Sequence, residues 1–328
     1  MKLHVKTAFA KRLASIAGLL LLLLSITIFI SSRKTDKPSD VADAQHIYAI
    51  AHQTRAVKVP DTLMFGGEAM PLNDFDVYER IDRELLVNTY WQSQTLLMLK
   101  EFNQCFNRIV PVLKAQGVPE DFVFLAVAES GLKNVVSPSN AAGVWQFLDP
   151  TARMYGLEIN GEVDERYSLE KSTEAACRYL KAAHDQFGSW TLAAAAYNMG
   201  NGALAAAIQT QKAKSYYDLW LNVETSRYVF RIMALKEIIS HPQRYGFYLQ
   251  KKDLYPPLQY KTLTVSTPID DLSAYAIQNG TTYKMLRIFN PWIMGNRLSN
   301  PMHKTYEFKI PEGTGEVQDF VAAIDTAR

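Results

Sequence analysis

The chain has 328 residues, 48% of them hydrophobic, and a formal charge of +2 at pH 7. That is room for a buried core and more than one domain, and it excludes a disordered chain. So small a charge leaves no electrostatic footprint for nucleic acid. The six histidines are scattered, and there is neither a phosphate-binding glycine loop nor a His/Cys array with metal spacing. No metal, other cofactor or nucleic-acid partner is therefore expected.

At the N-terminus Lys2, Lys6, Lys11 and Arg12 precede an uncharged run, Leu13–Ser32, that includes Leu19–Leu24. At about 1.5 Å per residue, a helix of that length crosses a roughly 30 Å hydrocarbon core. A cleavable signal peptide has a shorter apolar region, about 7–15 residues. Length therefore favours an uncleaved membrane anchor over residues 1–32 against a cleaved signal segment. The basic end stays in the cytoplasm and the remainder is exported to the cell envelope, on the periplasmic side. The two cysteines, Cys105 and Cys177, can pair in such a compartment. Each also sits among apolar neighbours in a helical pattern, where a free buried thiol is common, and the second reading is favoured.

Residues 33–74 read as linker and lead-in. Arg33–Asp40 is polar and charged, a short helix is expected near Val41–His52, and loop follows around Pro60, Gly66-Gly67 and Pro71. From Phe75 to Gln116 apolar residues recur at three- and four-residue spacing, through Val77, Ile81 and Leu85 and again through Leu99, Phe102, Phe106, Ile109 and Leu113, which predicts helix. Gly117 to Pro119 breaks it. Asn134–Val144 reads as a loop. Asp149-Pro150-Thr151 starts a short helix, with Asp149 as its N-cap. Further helices are expected from Ser168 or Leu169 to Phe187, over Trp190–Met199, after Gly200-Asn201-Gly202, and from about Thr225 to Ser240. Residues 75–250 are thus a helical domain. Beyond Tyr255-Pro-Pro257 the texture changes. Lys261–Val265 and Tyr306–Ile310 alternate like strands, and Ile269–Gln278 and Thr282–Phe289 read as short helices. Residues 258–311 form a small β-α-α-β unit, with a tail at 312–328.

One stretch carries the chemistry: Phe124-Leu-Ala-Val-Ala-Glu-Ser-Gly131. An apolar helix that starts after Pro119 and stops at Gly131 leaves Glu129 at its C-terminal end. Burial and the negative end of the helix dipole both disfavour the ionised carboxyl there and raise its pKa. A glutamic acid kept protonated near neutral pH suits general-acid work. The alternative is a solvent-facing Glu at a frayed helix end.

Four segments in order, Ala128-Glu-Ser-Gly131, Gly143-Val-Trp-Gln-Phe147, Tyr155-Gly156 and Ala196-Tyr-Asn198, resemble the soluble lytic transglycosylase domain of membrane-bound lytic murein transglycosylases. Asp164–Tyr167, Glu170–Thr173 and Glu224–Val229 are similar to the same group. The resemblance covers roughly residues 75–250 and implies a goose-lysozyme-like helical fold. The activity it implies is cleavage of the bond between N-acetylmuramic acid and N-acetylglucosamine in peptidoglycan strands. Ordinary glycosidases use two carboxylates, whereas the motif set offers one. In the family a single glutamate first protonates the glycosidic oxygen. It then takes the proton of the sugar's 6-hydroxyl, which closes a 1,6-anhydro ring. The substrate's N-acetyl group supports the cationic C1.

The resemblance makes Glu129 the catalytic residue and Ser130, Gln146, Tyr155, Tyr197 and Asn198 substrate-binding residues. Ser130 sits near the acid or the substrate, or else caps the helix. The Gln146 amide suits sugar hydroxyls or N-acetyl groups. Asn198 carries both donor and acceptor for an N-acetyl group, or caps its helix before Gly200. Tyr155 lines the groove. Trp145 and Phe147 read as packing. Leu148 stands where the family often has Met or another apolar residue.

The unit at 258–311 resembles a LysM module, a small glycan-binding domain. The matching residues are Leu263–Val265, Leu272, Tyr275-Ala-Ile277, Leu286, Asn290-Pro-Trp292 and Tyr306–Pro311. Its first loop, Ser266–Asp270, lacks the usual Gly-Asp. Both glycan binding and a structural cap on the helical domain stay open. A goose-type hydrolase is a further alternative and needs a second carboxylate, for which Asp149, Glu162 and Asp164 are candidates. A non-catalytic cell-wall scaffold is the other.

Overall fold

The computed structural model describes residues 54–312. The apolar segment Leu13–Ser32, the linker Arg33–Asp40, the helix expected near Val41–His52 and the tail from residue 313 lie outside the described residues. Among the described residues no helix is long and apolar enough to cross a membrane. Among the described residues, the chain from Val57 onward forms one compact unit, mainly helical, with a two-stranded sheet near its C-terminal end.

The lead-in does more than link. Met64–Phe65 (β1) and Glu68–Ala69 (β2) pair as a small antiparallel hairpin. Val59, Leu63, Phe65 and Met70 are buried in the main core. The reading of this stretch as linker therefore ends at about Val59. Glu68 is what ties the hairpin down. Its carboxylate accepts hydrogen bonds from Ser189 Oγ, the Trp190 and Thr191 backbone N–H groups and Thr191 Oγ1, so it serves the first turn of a distant helix, where negative charge is favourable.

The helical run expected from Phe75 to Gln116 is two helices, α1 (Phe75–Tyr90) and α2 (Gln92–Ala115). Asp74 caps α1, accepting from the N–H groups of Asp76 and Val77. At the break, Thr95 Oγ1 donates to the Asn88 carbonyl and Asn88 Nδ2 to the Glu84 carbonyl. These side-chain-to-backbone bonds compete with continued helix, and no Gly or Pro marks the site. A 3-10 turn, Glu120–Phe122, leads into α3 (Val123–Ser130), which stops at Gly131 in the left-handed region, φ 62°. Val123 to Val127 are all buried, each large apolar side chain contributing about 1.5–3 kcal/mol relative to exposure.

The short α4 is Asp149–Met154. Its N-cap is Leu148, not Asp149. The Asp149 carboxylate turns instead to Arg153, 2.6 Å away. Then come α5 (Leu169–Phe187), α6 (Trp190–Met199), α7 (Asn201–Gln211) and α8 (Val223–Ser240). Ser189 and Asn222 cap α6 and α8. Helix α8 packs against α1, α3 and α6 and is buried over most of its length. Cys105 and Cys177 are both free and buried. Burial pushes their thiols up to about 11 and about 12.

The C-terminal unit is β3 (Tyr260–Val265), α9 (Leu272–Gln278), α10 (Tyr283–Phe289) and β4 (Tyr306–Pro311). The strands pair antiparallel with Leu263 opposite Phe308 and Val265 opposite Tyr306. Leu272, Ala276, Leu286, Ile293, Phe308 and Ile310 fill its core, and Val163 of the helical domain joins them. The seam between the two parts is extensive. Val163 bridges Ile293 in β fashion, and Glu162 accepts from Ser299 N–H, Ser299 Oγ and Arg297 Nε. Glu170 accepts from Arg108 at 2.9 Å and from Lys309 at 2.5 Å.

Candidate active site

Helix α3 places Glu129 where its apolar face runs out. The Tyr228 hydroxyl, from α8, donates to Glu129 Oε1, and Tyr228 itself is fully buried. Burial pushes the Glu129 carboxyl above its ordinary value of 4.5, against the lowering influence of the Tyr228 hydrogen bond and the Arg231 charge, while the Glu224 charge adds to the rise. The physical reason is desolvation: the carboxyl is partly withdrawn from water, and Tyr228, the side chain that donates to it among the described residues, is neutral.

The loop from Asn134 to Phe147 forms the neighbouring wall. It is held as a tight hairpin by reciprocal bonds between Ala142 and Phe147 and by Gly143 N–H on the Val135 carbonyl. Gly143 has φ 81°, and a Cβ there would lie 1.9 Å from the Arg166 carbonyl oxygen. Only glycine fits. The Arg166 guanidinium donates to the carbonyls of Asn140 and Phe147 while paired with Asp164. The Asp164–Tyr167 stretch thus holds this loop in place. Trp145 is fully buried with its Nε1 on Thr173 Oγ1, and Phe147 is core. Both are packing residues, as read from the sequence.

The expected binding residues divide by what they touch. Ser130 Oγ reaches the Val144 carbonyl at 2.7 Å and the Ala126 carbonyl at 3.2 Å, which fastens the end of α3 to the loop. Gln146 adopts a left-handed backbone, φ 50°, a conformation uncommon for a residue with a Cβ. Its amide nitrogen donates to the carbonyls of Gly143 and Val135, which leaves its oxygen as the group free to accept. The Tyr197 hydroxyl donates to the Trp145 carbonyl at 2.7 Å. Burial, with the Glu129 charge beside it, pushes that hydroxyl well above its ordinary value.

Asn198 does not cap α6; Gly200 does. Its Oδ1 accepts from Thr225 Oγ1 at 2.7 Å and its Nδ2 donates to Glu224 Oε1 at 3.3 Å. The amide is therefore oriented by the first turn of α8. Tyr155 stands further off. Its ring lies 5.1 Å from Tyr179, whose ring is 5.0 Å from Tyr197, so it joins the group through a row of aromatic rings.

Sequence reading missed α8's part in the site. Tyr228 lies 99 residues from Glu129 in the chain. The available signal was the Glu224–Val229 stretch, noted for its resemblance without a role. The three candidate second carboxylates are engaged elsewhere: Asp149 with Arg153, Glu162 at the seam, Asp164 with Arg166. Glu224, exposed at the start of α8, is the carboxylate whose charge reaches Glu129.

A mainly helical unit thus carries a raised carboxyl at the end of a short apolar helix, and the comparisons with known families match this part of the chain. Residues 110–220 match the transglycosylase SLT domain, and residues 261–314 match the soluble lytic transglycosylase C-terminal LysM-like domain. The chain is 33% identical over 192 residues to membrane-bound lytic murein transglycosylase D of Escherichia coli K12, which covers 57% of this chain and 42% of the relative. It thus spans less than half the length of that curated relative. It is also 25% identical over 191 residues to a putative tributyltin chloride resistance protein of Alteromonas sp., covering 56% of this chain and 86% of that protein. The SLT match ends at residue 220, before α8, yet α8 supplies the Glu129 partner.

Proposed function

We propose that this protein is a peptidoglycan lytic transglycosylase. It cleaves the bond between N-acetylmuramic acid and N-acetylglucosamine and leaves a 1,6-anhydro end. The observation that carries the reading is the half-buried Glu129 carboxyl with the Tyr228 hydroxyl on it and, among the described residues, no cation in direct contact. A carboxyl in that setting holds its proton and can deliver it to the glycosidic oxygen. Once ionised, it accepts the Tyr228 hydrogen bond more strongly and can remove the proton from the sugar's 6-hydroxyl. The bond to C1 then forms from that oxygen, the proton returns to Glu129, and no water is consumed. We assign the Gln146 oxygen and the Asn198 amide, oriented by Thr225 and Glu224, to N-acetyl groups of the substrate, with Tyr197 and Tyr155 as further binding residues. Ser130 acts by fixing the helix end to the loop.

The partner is the glycan strand of peptidoglycan, met in the cell envelope on the periplasmic side of the membrane, with Leu13–Ser32 as the anchor. For the LysM-like unit we favour the cap reading. Its segment from Trp292 to Ser299 bonds to Glu162 and Asp164 of the helical domain, and this supports a wall fixed to the catalytic part.

The test is incubation of the full-length protein, in detergent, with purified murein, followed by mass analysis of the products. Anhydro ends, lighter than reducing ends by one water and absent with Glu129→Gln, are expected. Reducing ends alone overturn the transglycosylase reading and make Glu224 the candidate to activate water. Unchanged cell-wall function with Glu129→Gln supports the scaffold instead.

A further inference from the structure

Two charged side chains flank Tyr228 on α8, and the reaction above uses neither. Glu224, Tyr228 and Arg231 are spaced i, i+4, i+7, so they form one row along the helix. Tyr228 in the middle holds Glu129. On one side the Arg231 guanidinium carbon lies 5.6 Å from the centre of the Tyr228 ring, and the buried Arg231 Nε has no hydrogen-bond partner. On the other side Glu224 is held by Asn198 Nδ2 at 3.3 Å. An unpaired buried donor costs stability, and its retention calls for an explanation. Arg231 therefore sits as a cation whose charge no salt bridge neutralises among the described residues, beside the Glu129–Tyr228 pair.

From this geometry, and resting on Glu129 as the acid, we propose that Glu224 and Arg231 are an opposed pair of positioning residues that set the proton affinity of Glu129. A residue that acts as acid and then as base needs both of its forms within reach at the working pH. Burial favours the protonated form, and charges on either side can adjust that balance. Arg231 supports the carboxylate left after proton donation, and Glu224 supports the recharged acid. Among the described residues, the other titratable groups facing Glu129 are neutral hydroxyls, Tyr228 from α8 and Tyr197 from α6, both with pKa values well above the ordinary. Helix α2, also packed on α3, directs its Glu101 to Lys133, 3.7 Å away.

The test is a 13C NMR titration of the Glu129 side-chain carboxyl in the full-length protein, assigned against Glu129→Gln. Arg231→Gln removes the lowering charge, so its midpoint moves to higher pH. Glu224→Gln removes the raising charge, so its midpoint moves to lower pH. Each shift is expected at about one pH unit or somewhat less. Arg231→Lys keeps the charge and stays near the wild-type midpoint, which separates electrostatics from packing should Arg231→Gln fold poorly. The alkaline limb of murein cleavage moves with the midpoints. Midpoints that stay put, or that move in the same direction in both Gln variants, overturn the proposal. Opposed shifts in the two Gln variants, with a wild type that makes no anhydro ends, overturn the transglycosylase reading and leave the charge couple standing.

Discussion

Glu129 and Glu170 are both partly buried, and their carboxyls are driven in opposite directions. At Glu170, burial raises the pKa, but Arg108 and Lys309 outweigh it and hold the group at about 2. At Glu129, burial again raises the pKa, and a neutral tyrosine hydroxyl with a more distant arginine does not outweigh it. Burial is common to both; the partners decide. Two cations in contact make a carboxylate that fastens the C-terminal unit to the helical domain. A phenol makes an acid that keeps its proton and can give it away. The contrast also explains why the seam is rich in ion pairs while Glu129, the proposed acid, has none among the described residues.

The largest effect expected from breaking this contrast is on activity. Glu129→Gln should lower murein cleavage on the order of 10³-fold, since no second group takes over proton transfer. The same change should raise thermal stability at neutral pH. A carboxyl whose folded pKa is raised is fully stabilising below its unfolded pKa, and that stability is lost as pH rises through the folded value; glutamine does not ionise. A Glu129→Gln variant less stable than wild type at neutral pH would mean that the carboxylate is well solvated.

Next is Tyr228→Phe, which removes the hydrogen bond on Glu129. That bond lowers the carboxyl's pKa, so its loss moves the alkaline limb of the pH–rate profile upward. The acid also loses its orientation, and kcat should fall about 10- to 100-fold. An unmoved limb would detach Tyr228 from the acid.

At the seam, Glu170→Gln should destabilise the protein by about 2 kcal/mol at neutral pH. That corresponds to the shift from 4.5 to about 2, converted at about 1.4 kcal/mol per unit and reduced for partial exposure. Here the folded pKa is depressed. The stabilisation is present above about 4.5 and disappears as pH falls toward about 2, so wild type and variant should converge in acid. Denaturant titrations at several pH values check this, and a variant that stays less stable at every pH would point to packing. The smallest effect is Ser130→Ala, about 1 kcal/mol for one lost hydrogen bond to the Val144 carbonyl, measured by thermal unfolding.

The sequence foretold those features that depend on local signals. The stops at Gly131, Gly188 and Gly200, the span Trp190–Met199 and the β-α-α-β unit all follow from caps, breakers and periodicity, and the structure has them. So does the place of Glu129 at the end of an apolar helix. What escaped depends on distant partners. The break at Trp91 carries no Gly or Pro and rests on Asn88 and Thr95 bonding to backbone. The hairpin around Gly66 looked like loop because its stability comes from Glu68 reaching α6. Asp149 has the composition of an N-cap, but Arg153 one turn on offers its carboxylate a better partner. Tyr228 and Arg231 reach Glu129 only through the packing of α8 on α3, and no spacing rule within one helix announces that.

The most direct test of the central claim is the pH dependence of kcat/KM for the wild-type protein on purified glycan strands. If Glu129 must start protonated in a desolvated site, activity falls on the alkaline side with an apparent pKa clearly above the ordinary carboxyl value of 4.5. A limb at that ordinary value would contradict a buried acid and return Glu129 to the solvent-facing end of its helix.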